Sequence, residues 1–130
     1  MPLEIVNPPQ LARPRGYSHG IRGRGDTLFV AGQIGWTGEG RLVSDDFVAQ
    51  FAQALDNVLA VVRAAGGAPD CVARLTVYVT DKAEYVASAK ALGAAWRERM
   101  GRHYPAMALV EVKSLLEPAA KVEIEATAIL

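Results

Sequence analysis

The stretch "KVEIEATAI", residues 121–129, decides the fold because apolar and polar side chains alternate along most of it. Successive side chains of a β-strand point to opposite faces of a sheet, so this pattern predicts a strand with one face on a core. The predicted core face consists of Val122, Ile124, Ala126 and Ala128. Lys121, Glu123, Glu125 and Thr127 are expected to point away from any helices that cover the sheet.

Three further segments have the composition or the alternation of strands. They are "TLFVAGQIG" at 27–35, bounded by glycine-containing turns, "VARLTVYVT" at 72–80 and "PAMALVEV" at 105–112. In the second of them, Leu75, Val77 and Val79 are predicted to face the core. In the third, Ala108, Val110 and Val112 share one face, which places Met107, Leu109 and Glu111 on the other.

Two helices are predicted between these strands. The first, in "SDDFVAQFAQALDNVLAVVRAAGG" from Ser44, has Ser44 as N-cap, two aspartates in its first turn and Gly66 as its stop. Its apolar stripe comprises Phe47, Phe51, Leu55, Val58, Leu59 and Val62. The second spans 82–100, ends at Gly101 and has Tyr85, Ala89, Leu92 and Trp96 on its stripe.

Two helices can cover only one face of such a sheet. The uncovered face is predicted to show Phe29, Tyr78, Met107 and Leu109 among polar groups, and an apolar patch of this kind usually marks an interface with another chain. We therefore expect an α+β homo-oligomer built from one domain, residues 1–130. The first sixteen residues, which hold four of the seven prolines, are expected to form an irregular arm or a first strand.

Composition excludes several classes of protein. The 14 basic and 14 acidic residues balance and form no long run, which argues against a dedicated nucleic-acid binder. Cys71 is the only cysteine, so no intrachain disulfide can form. No apolar run approaches the roughly 20 residues that cross a bilayer, and no leader pattern is present at the N-terminus. These features lead us to expect a cytoplasmic protein that is not integral to a membrane.

Six segments, in this order and spacing, resemble the Rid superfamily, the reactive intermediate deaminases, also called YjgF-like or endoribonuclease L-PSP-like proteins. They are "GYSHGI" at 16–21, "LFVAGQIG" at 28–35, "QALDNVLAVVRAAGG" at 53–67, "VARLTVYVTD" at 72–81, "YPAM" at 104–107 and "VEIEATA" at 122–128. The resemblance implies a chorismate mutase-like fold, a sheet with two helices on one face. It also implies a homotrimer whose sites lie in clefts between neighbouring subunits.

For activity, the resemblance implies hydrolysis of reactive imines or enamines to a ketone or ketoacid and ammonia, without a metal or organic cofactor. Active members carry an arginine where this chain has Met107, and that guanidinium holds the substrate carboxylate. The chain is thus similar to an arginine-lacking subgroup. Arg102 and His103, just before "YPAM", are a candidate replacement charge, although a basic pair after a helix usually complements the helix dipole.

The remaining candidate residues also come from the resemblance, and each has a structural alternative. Glu123 matches the family's acid near the attacking water, or else it is a solvated or interface carboxylate. Tyr17 matches a pocket tyrosine or anchors the arm, and Gly32 and Gln33 match a cleft-lining strand or are ordinary strand residues. Met107 contacts ligand or packs at an interface. The family often has asparagine where this chain has Ala89.

Trp36 and the two histidines are interpreted without the family resemblance. Trp36, directly after "GQIG", forms either an aromatic wall of the pocket or an interface anchor. His19 and His103, without a cysteine or carboxylate cluster at ligand spacing, make a poor metal site, so no metal is predicted. Three functions stay open: a cofactor-free hydrolase for an imine without a carboxylate or with one held by a different group, a non-catalytic trimeric metabolite binder, and an endoribonuclease.

Overall fold

A computed structural model describes residues 3–130, so Met1 and Pro2, the first two residues of the predicted arm, lie outside the described residues. The strands are β1 Glu4–Val6, β2 Gly20–Arg22, β3 Thr27–Gln33, β4 Val72–Val79, β5 Ala106–Glu111 and β6 Val122–Ile129. The α-helices are α1 Phe47–Ala64, α2 Lys82–Ala87 and α3 Ala89–Met100, and a short 3-10 helix spans Pro69–Cys71.

The main sheet has the strand order β3-β6-β4-β5. β6 pairs antiparallel with both β3 and β4, whereas β4 and β5 are parallel. A parallel pair needs a long crossover, and α2 and α3 provide it. β1 pairs antiparallel with β2 in a separate two-stranded sheet, so part of the predicted arm forms a strand.

The core lies between the main sheet and the helices, as the alternation in β4 and β6 predicts. Val122, Ile124, Ala126 and Ala128 are buried, as are the three predicted core residues of β4. All six residues of the predicted α1 stripe are buried too. Burial of side chains of this size contributes about 1.5–3 kcal/mol each, which makes the packing of α1 on β6 a main source of stability.

The start of α1 differs from the prediction. Asp46 is the N-cap, and its carboxylate accepts a hydrogen bond of 2.8 Å from the amide of Ala49. The Ser44 hydroxyl instead accepts from the Asp46 amide in the preceding turn, so the two aspartates lie before the first turn. Gly66, with φ of 90°, follows the end of the helix as predicted.

The second predicted helix is interrupted at Ser88, which is the C-cap of α2 and the N-cap of α3. Its ψ of 8° departs from helical geometry, so the stripe shifts and Ala89 is exposed rather than buried. α3 buries Leu92, Ala95, Trp96 and Met100. It ends at Gly101, whose φ of 61° favours glycine, as predicted.

The predicted faces of β5 are reversed. Met107 is paired with Leu75 and Leu109 with Val77 in the parallel register, and both pack partly buried against the core. Ala108 and Val110 are exposed on the other face. Both faces of this edge strand carry apolar residues, so the alternation alone does not indicate which face is inward.

The uncovered face of the sheet therefore carries Ala108 and Val110 in place of the predicted Met107 and Leu109. Phe29 is 79% exposed there, and Val110 is 41% exposed. The homo-oligomer remains a prediction. None of the helices within residues 3–130 combines the length and apolarity that a bilayer-crossing helix needs.

One buried polar side chain ties α1 to the segment that leads into β6. Gln50 is fully buried, and its Nε2 donates hydrogen bonds to the carbonyls of Ser44 at 2.9 Å and Ala119 at 3.1 Å. Its Oε1 accepts a hydrogen bond of 2.8 Å from the amide of Lys121. Gly35 lies directly against Gln50, since a Cβ there would approach Cα of Gln50 to 2.8 Å.

Candidate functional site

A cavity of about 280 Å³ opens at the β5 edge of the sheet, between the sheet and α3. Met107 lines it from β5, and Phe51, Val77, Tyr85, Leu92 and Trp96 form much of its apolar wall. The Trp96 ring stacks on Tyr104 with centroids 6.1 Å apart, and its Nε1 donates to the carbonyl of His103. Burial raises the pKa of the Tyr85 phenol above the usual tyrosine range. We call this space the edge cavity.

The segment that contains Tyr17 borders the edge cavity. Gly16 lines it, and Ser18 fixes the segment, since its amide donates to the carbonyl of Pro105 and its hydroxyl to that of Tyr104. Tyr17 itself is 37% exposed and packs edge-on against His19. The segment that contains Tyr17 is therefore held beside the start of β5.

Helix α3 contributes Ala89, Gly93 and Arg97 to the edge cavity. Ala89 is the position at which the family often has asparagine. Arg97 also lines the edge cavity, although it was not predicted as a site residue. Its location became apparent only from the packing of α3 on the sheet. Arg102 is exposed in the turn after α3 and is not a lining residue of the edge cavity.

Glu123 lies elsewhere, half-buried on the uncovered face of the sheet. It is beside Gly32 of β3, where a Cβ would overlap its Oε2 and lie 2.8 Å from its Cδ. Glycine at position 32 therefore makes the room that this carboxylate occupies. The family resemblance assigns both residues to one site, and the pairing of β3 with β6 brings them side by side.

Two neighbours of Glu123 form a pair of their own. Tyr78 lies opposite Glu123 in the register, and its hydroxyl donates a hydrogen bond to the Glu125 carboxylate. That hydrogen bond, together with the nearby negative charges of Glu125 and Glu123, raises the pKa of Tyr78. Glu125 is thus occupied by Tyr78, whereas the structure gives Glu123 no side-chain hydrogen bond among residues 3–130.

Gln33 and Trp36 lie together at a third place, a surface hollow near α1. Asn57 shapes it, because its Nδ2 donates to the carbonyls of Ile34 at 3.1 Å and Trp36 at 3.0 Å. Gln53 in turn donates to Oδ1 of Asn57. Asn57 was not predicted as a site residue, because it is one of several polar residues of α1 and no spacing distinguishes it from the others.

The predicted site residues therefore lie at separate places within one chain and do not form a single site. Met107 faces the helices and Glu123 faces the opposite side of the sheet, with β4 between their strands. Gln33 and Trp36 form the separate hollow. No group of three histidine, cysteine, aspartate or glutamate side chains within the described residues is suited to hold a metal ion.

The comparisons with known proteins agree with this architecture. The Endoribonuclease L-PSP family matches residues 9–130. A RutC family protein from Pyrococcus horikoshii is 34% identical over 127 residues, which are 96% of each chain. The 2-iminobutanoate/2-iminopropanoate deaminase of Escherichia coli is 35% identical over 105 residues, 81% of this chain and 80% of that protein.

A solved structure is also similar over its whole length. It is YyfB from Yersinia pestis, a protein of unknown function of the conserved Rid protein family, with a TM-score of 0.89, 35% identity and complete coverage of both chains. The chain belongs to the Endoribonuclease L-PSP family, which is the YjgF or Rid family. The predicted family and α+β fold are confirmed.

Proposed function

We propose that this chain hydrolyses a reactive imine or enamine and releases ammonia, with Glu123 handling the attacking water. The observation that carries the proposal is the Glu123 carboxylate, held beside Gly32 on the uncovered face and free of the Tyr78 pair. The imine deaminase of Escherichia coli, at 35% identity, supports this reaction class.

The proposed reaction needs one carboxylate and no further reagent. As the water oxygen bonds to the C=N carbon, Glu123 takes one proton from the water and delivers it to the imine nitrogen, which gives a neutral carbinolamine. Glu123 then takes the hydroxyl proton of the carbinolamine and delivers it to the nitrogen as the C–N bond breaks. The products are a carbonyl compound and ammonia, so atoms and charge balance. An enamine first takes a proton at carbon to become the imine.

The proposed site is completed by a neighbouring subunit. Glu123 and Gly32 lie on a sheet face where Phe29 is 79% exposed, and burial of such a surface against a second copy is favourable. We propose a homotrimer in which this face of one subunit meets the edge cavity of the next, with Tyr17 and Met107. This arrangement accounts for the division of the candidates within one chain.

Met107 and Ala89 distinguish this chain from the family pattern that the resemblance implies, so the usual arginine does not hold the substrate. The same departures favour a second candidate function, a non-catalytic binder of a small metabolite on the same scaffold. An endoribonuclease is a weaker candidate because the 14 basic and 14 acidic residues leave no net charge to attract RNA.

The direct test is ammonia release from a panel of imines generated in situ, half of them with a carboxylate. Wild-type protein is expected to accelerate release at least about tenfold over buffer for part of the panel. Semicarbazide, which traps free imine, serves as the control for the intermediate. Wild-type protein that is inert on the whole panel, while Met107→Arg gains activity on carboxylated imines, would favour the binder.

The close contact between Gly32 and Glu123 gives a second expected result. Gly32→Ala is expected to lower hydrolysis at least about tenfold, because the new Cβ displaces the carboxylate from its place. Only the tip of a flexible side chain moves, so the free energy of unfolding is expected to change by less than about 1 kcal/mol. Enzyme assays and urea unfolding measure the two effects.

The matched control is Gly20→Ala, whose new Cβ would make only ordinary contacts with Val6. It is expected to retain full activity. Hydrolysis by Gly32→Ala at the wild-type rate would show that the position of Glu123 over Gly32 does not matter.

A further inference from the structure

The edge cavity has an apolar wall and one charge. Among the described residues that line it, Arg97 carries the only charged side chain. The nearby lining residues Tyr85, Trp96 and Met107 present mainly apolar surface, whereas Arg97 is exposed to solvent at the margin of the cavity. A ligand that fits this space therefore meets an apolar wall with a cation at its margin.

The geometry of α3 directs Arg97 along the cavity. Ala89, Gly93 and Arg97 are spaced four residues apart and lie on one face of the helix. Long helical side chains point back toward the N-terminus, and Nη1 of Arg97 lies 3.2 Å from the place that a Cβ on Gly93 would take. Two small residues thus leave a path along which the guanidinium extends toward Ala89.

The guanidinium of Arg97 also has no anionic partner among residues 3–130. Arg22 is paired with Glu4, and Arg99 with Asp56 at 2.7 Å, whereas no carboxylate lies within 4.0 Å of the Arg97 side chain. Its donors remain available to an anion from outside the chain. An arginine binds a carboxylate through two parallel hydrogen bonds, a geometry that favours this group over a neutral one.

We infer that Arg97 holds the carboxylate of a small acid whose apolar part lies against Trp96 and Met107 in the edge cavity. The volume of about 280 Å³ suits a short branched aliphatic acid. As far as catalysis is concerned this inference rests on the proposed function, in which the other end of the ligand faces Glu123 of a neighbouring subunit. Arg97 is then a specificity-determining residue on α3. It binds the carboxylate in place of the arginine that active family members carry on the strand, at the position of Met107.

The test uses two stable probes of the same shape, 4-methyl-2-oxopentanoate and 4-methyl-2-oxopentanamide, with binding measured by isothermal titration calorimetry. Wild-type protein is expected to bind the acid roughly 10- to 100-fold more tightly than the amide. Arg97→Gln is expected to remove that preference by weakening the acid alone, and Arg97→Lys to retain part of it. The matched control Arg102→Gln, in a residue outside the cavity, is expected to shift neither affinity by more than about twofold.

Gly93→Ala provides an independent variant that keeps the charge. Its new Cβ would crowd Nη1 of Arg97, so affinity for the acid is expected to fall while affinity for the amide is unchanged. The inference is wrong if wild-type protein binds neither probe, if it binds both equally, or if Arg97→Gln keeps the preference for the acid.

This experiment separates the inference from the proposed function because neither probe is turned over. An acid preference that depends on Arg97, in a protein that hydrolyses no imine, leaves the inference standing and contradicts the hydrolase. Imine hydrolysis that requires Glu123, with no role for Arg97 in acid binding, supports the hydrolase and contradicts the inference.

Discussion

Glu123→Gln is expected to slow imine hydrolysis by about 10²- to 10⁴-fold, the range that a positioned proton-transfer group contributes. The amide that replaces the carboxylate has nearly the same shape but cannot accept the proton of the attacking water. The side chain lies on the sheet surface, so the fold is expected to persist. Steady-state rates of ammonia release, with circular dichroism to check folding, measure the result.

Glu125→Gln is the matched control for this experiment. Glu125 lies two residues along the same strand, on the same face, but its carboxylate accepts the hydrogen bond from Tyr78. We expect Glu125→Gln to keep hydrolysis within about threefold of wild type, since its carboxylate has a structural partner. Equal losses in both variants would mean that the charge of the face, and not Glu123 itself, supports the reaction.

Gln50→Leu is expected to lower the free energy of unfolding by about 3–5 kcal/mol. The leucine has a similar volume but makes none of the three partly buried hydrogen bonds of Gln50, and each partner left without one costs about 1–3 kcal/mol. The partners are the carbonyls of Ser44 and Ala119 and the amide of Lys121. Urea unfolding monitored by tryptophan fluorescence measures the change.

Gln53→Leu, one turn further along α1, is the control for Gln50→Leu. Gln53 is half-buried, and its one side-chain hydrogen bond joins it to Asn57 on the same helix. Its replacement is expected to cost less than about 1 kcal/mol. A similarly small loss for Gln50→Leu would show that water replaces the hydrogen bonds at the start of β6.

The sequence predicted those elements whose pattern is local and regular. Strict alternation located β4 and β6 and their core faces, and a long apolar stripe located α1. It did not predict Asp46 as the N-cap, because several polar side chains precede α1 and the choice among them depends on backbone geometry. The interruption at Ser88 has no proline or glycine to indicate it.

The candidate site was predicted less completely because its geometry depends on the register between distant segments. The side-by-side placement of Gly32 and Glu123 agrees with the sequence analysis, although the roles proposed for them stay predictions. The face of Met107 depends on the parallel pairing of β5 with β4, which no local pattern encodes. Arg97 acquires its position only when α3 packs on the sheet, so no motif could identify it.

The position of β6 has a consequence for how the protein is made. β6 follows the other three strands of the main sheet along the chain, yet it lies between β3 and β4, and Asp26 and Leu130 exchange backbone hydrogen bonds at its end. During translation, the ribosome releases β3, α1 and β4 well before the strand that joins them. The nascent chain therefore exposes the apolar faces of three elements until β6 emerges, and this interval is when it depends most on protection from aggregation.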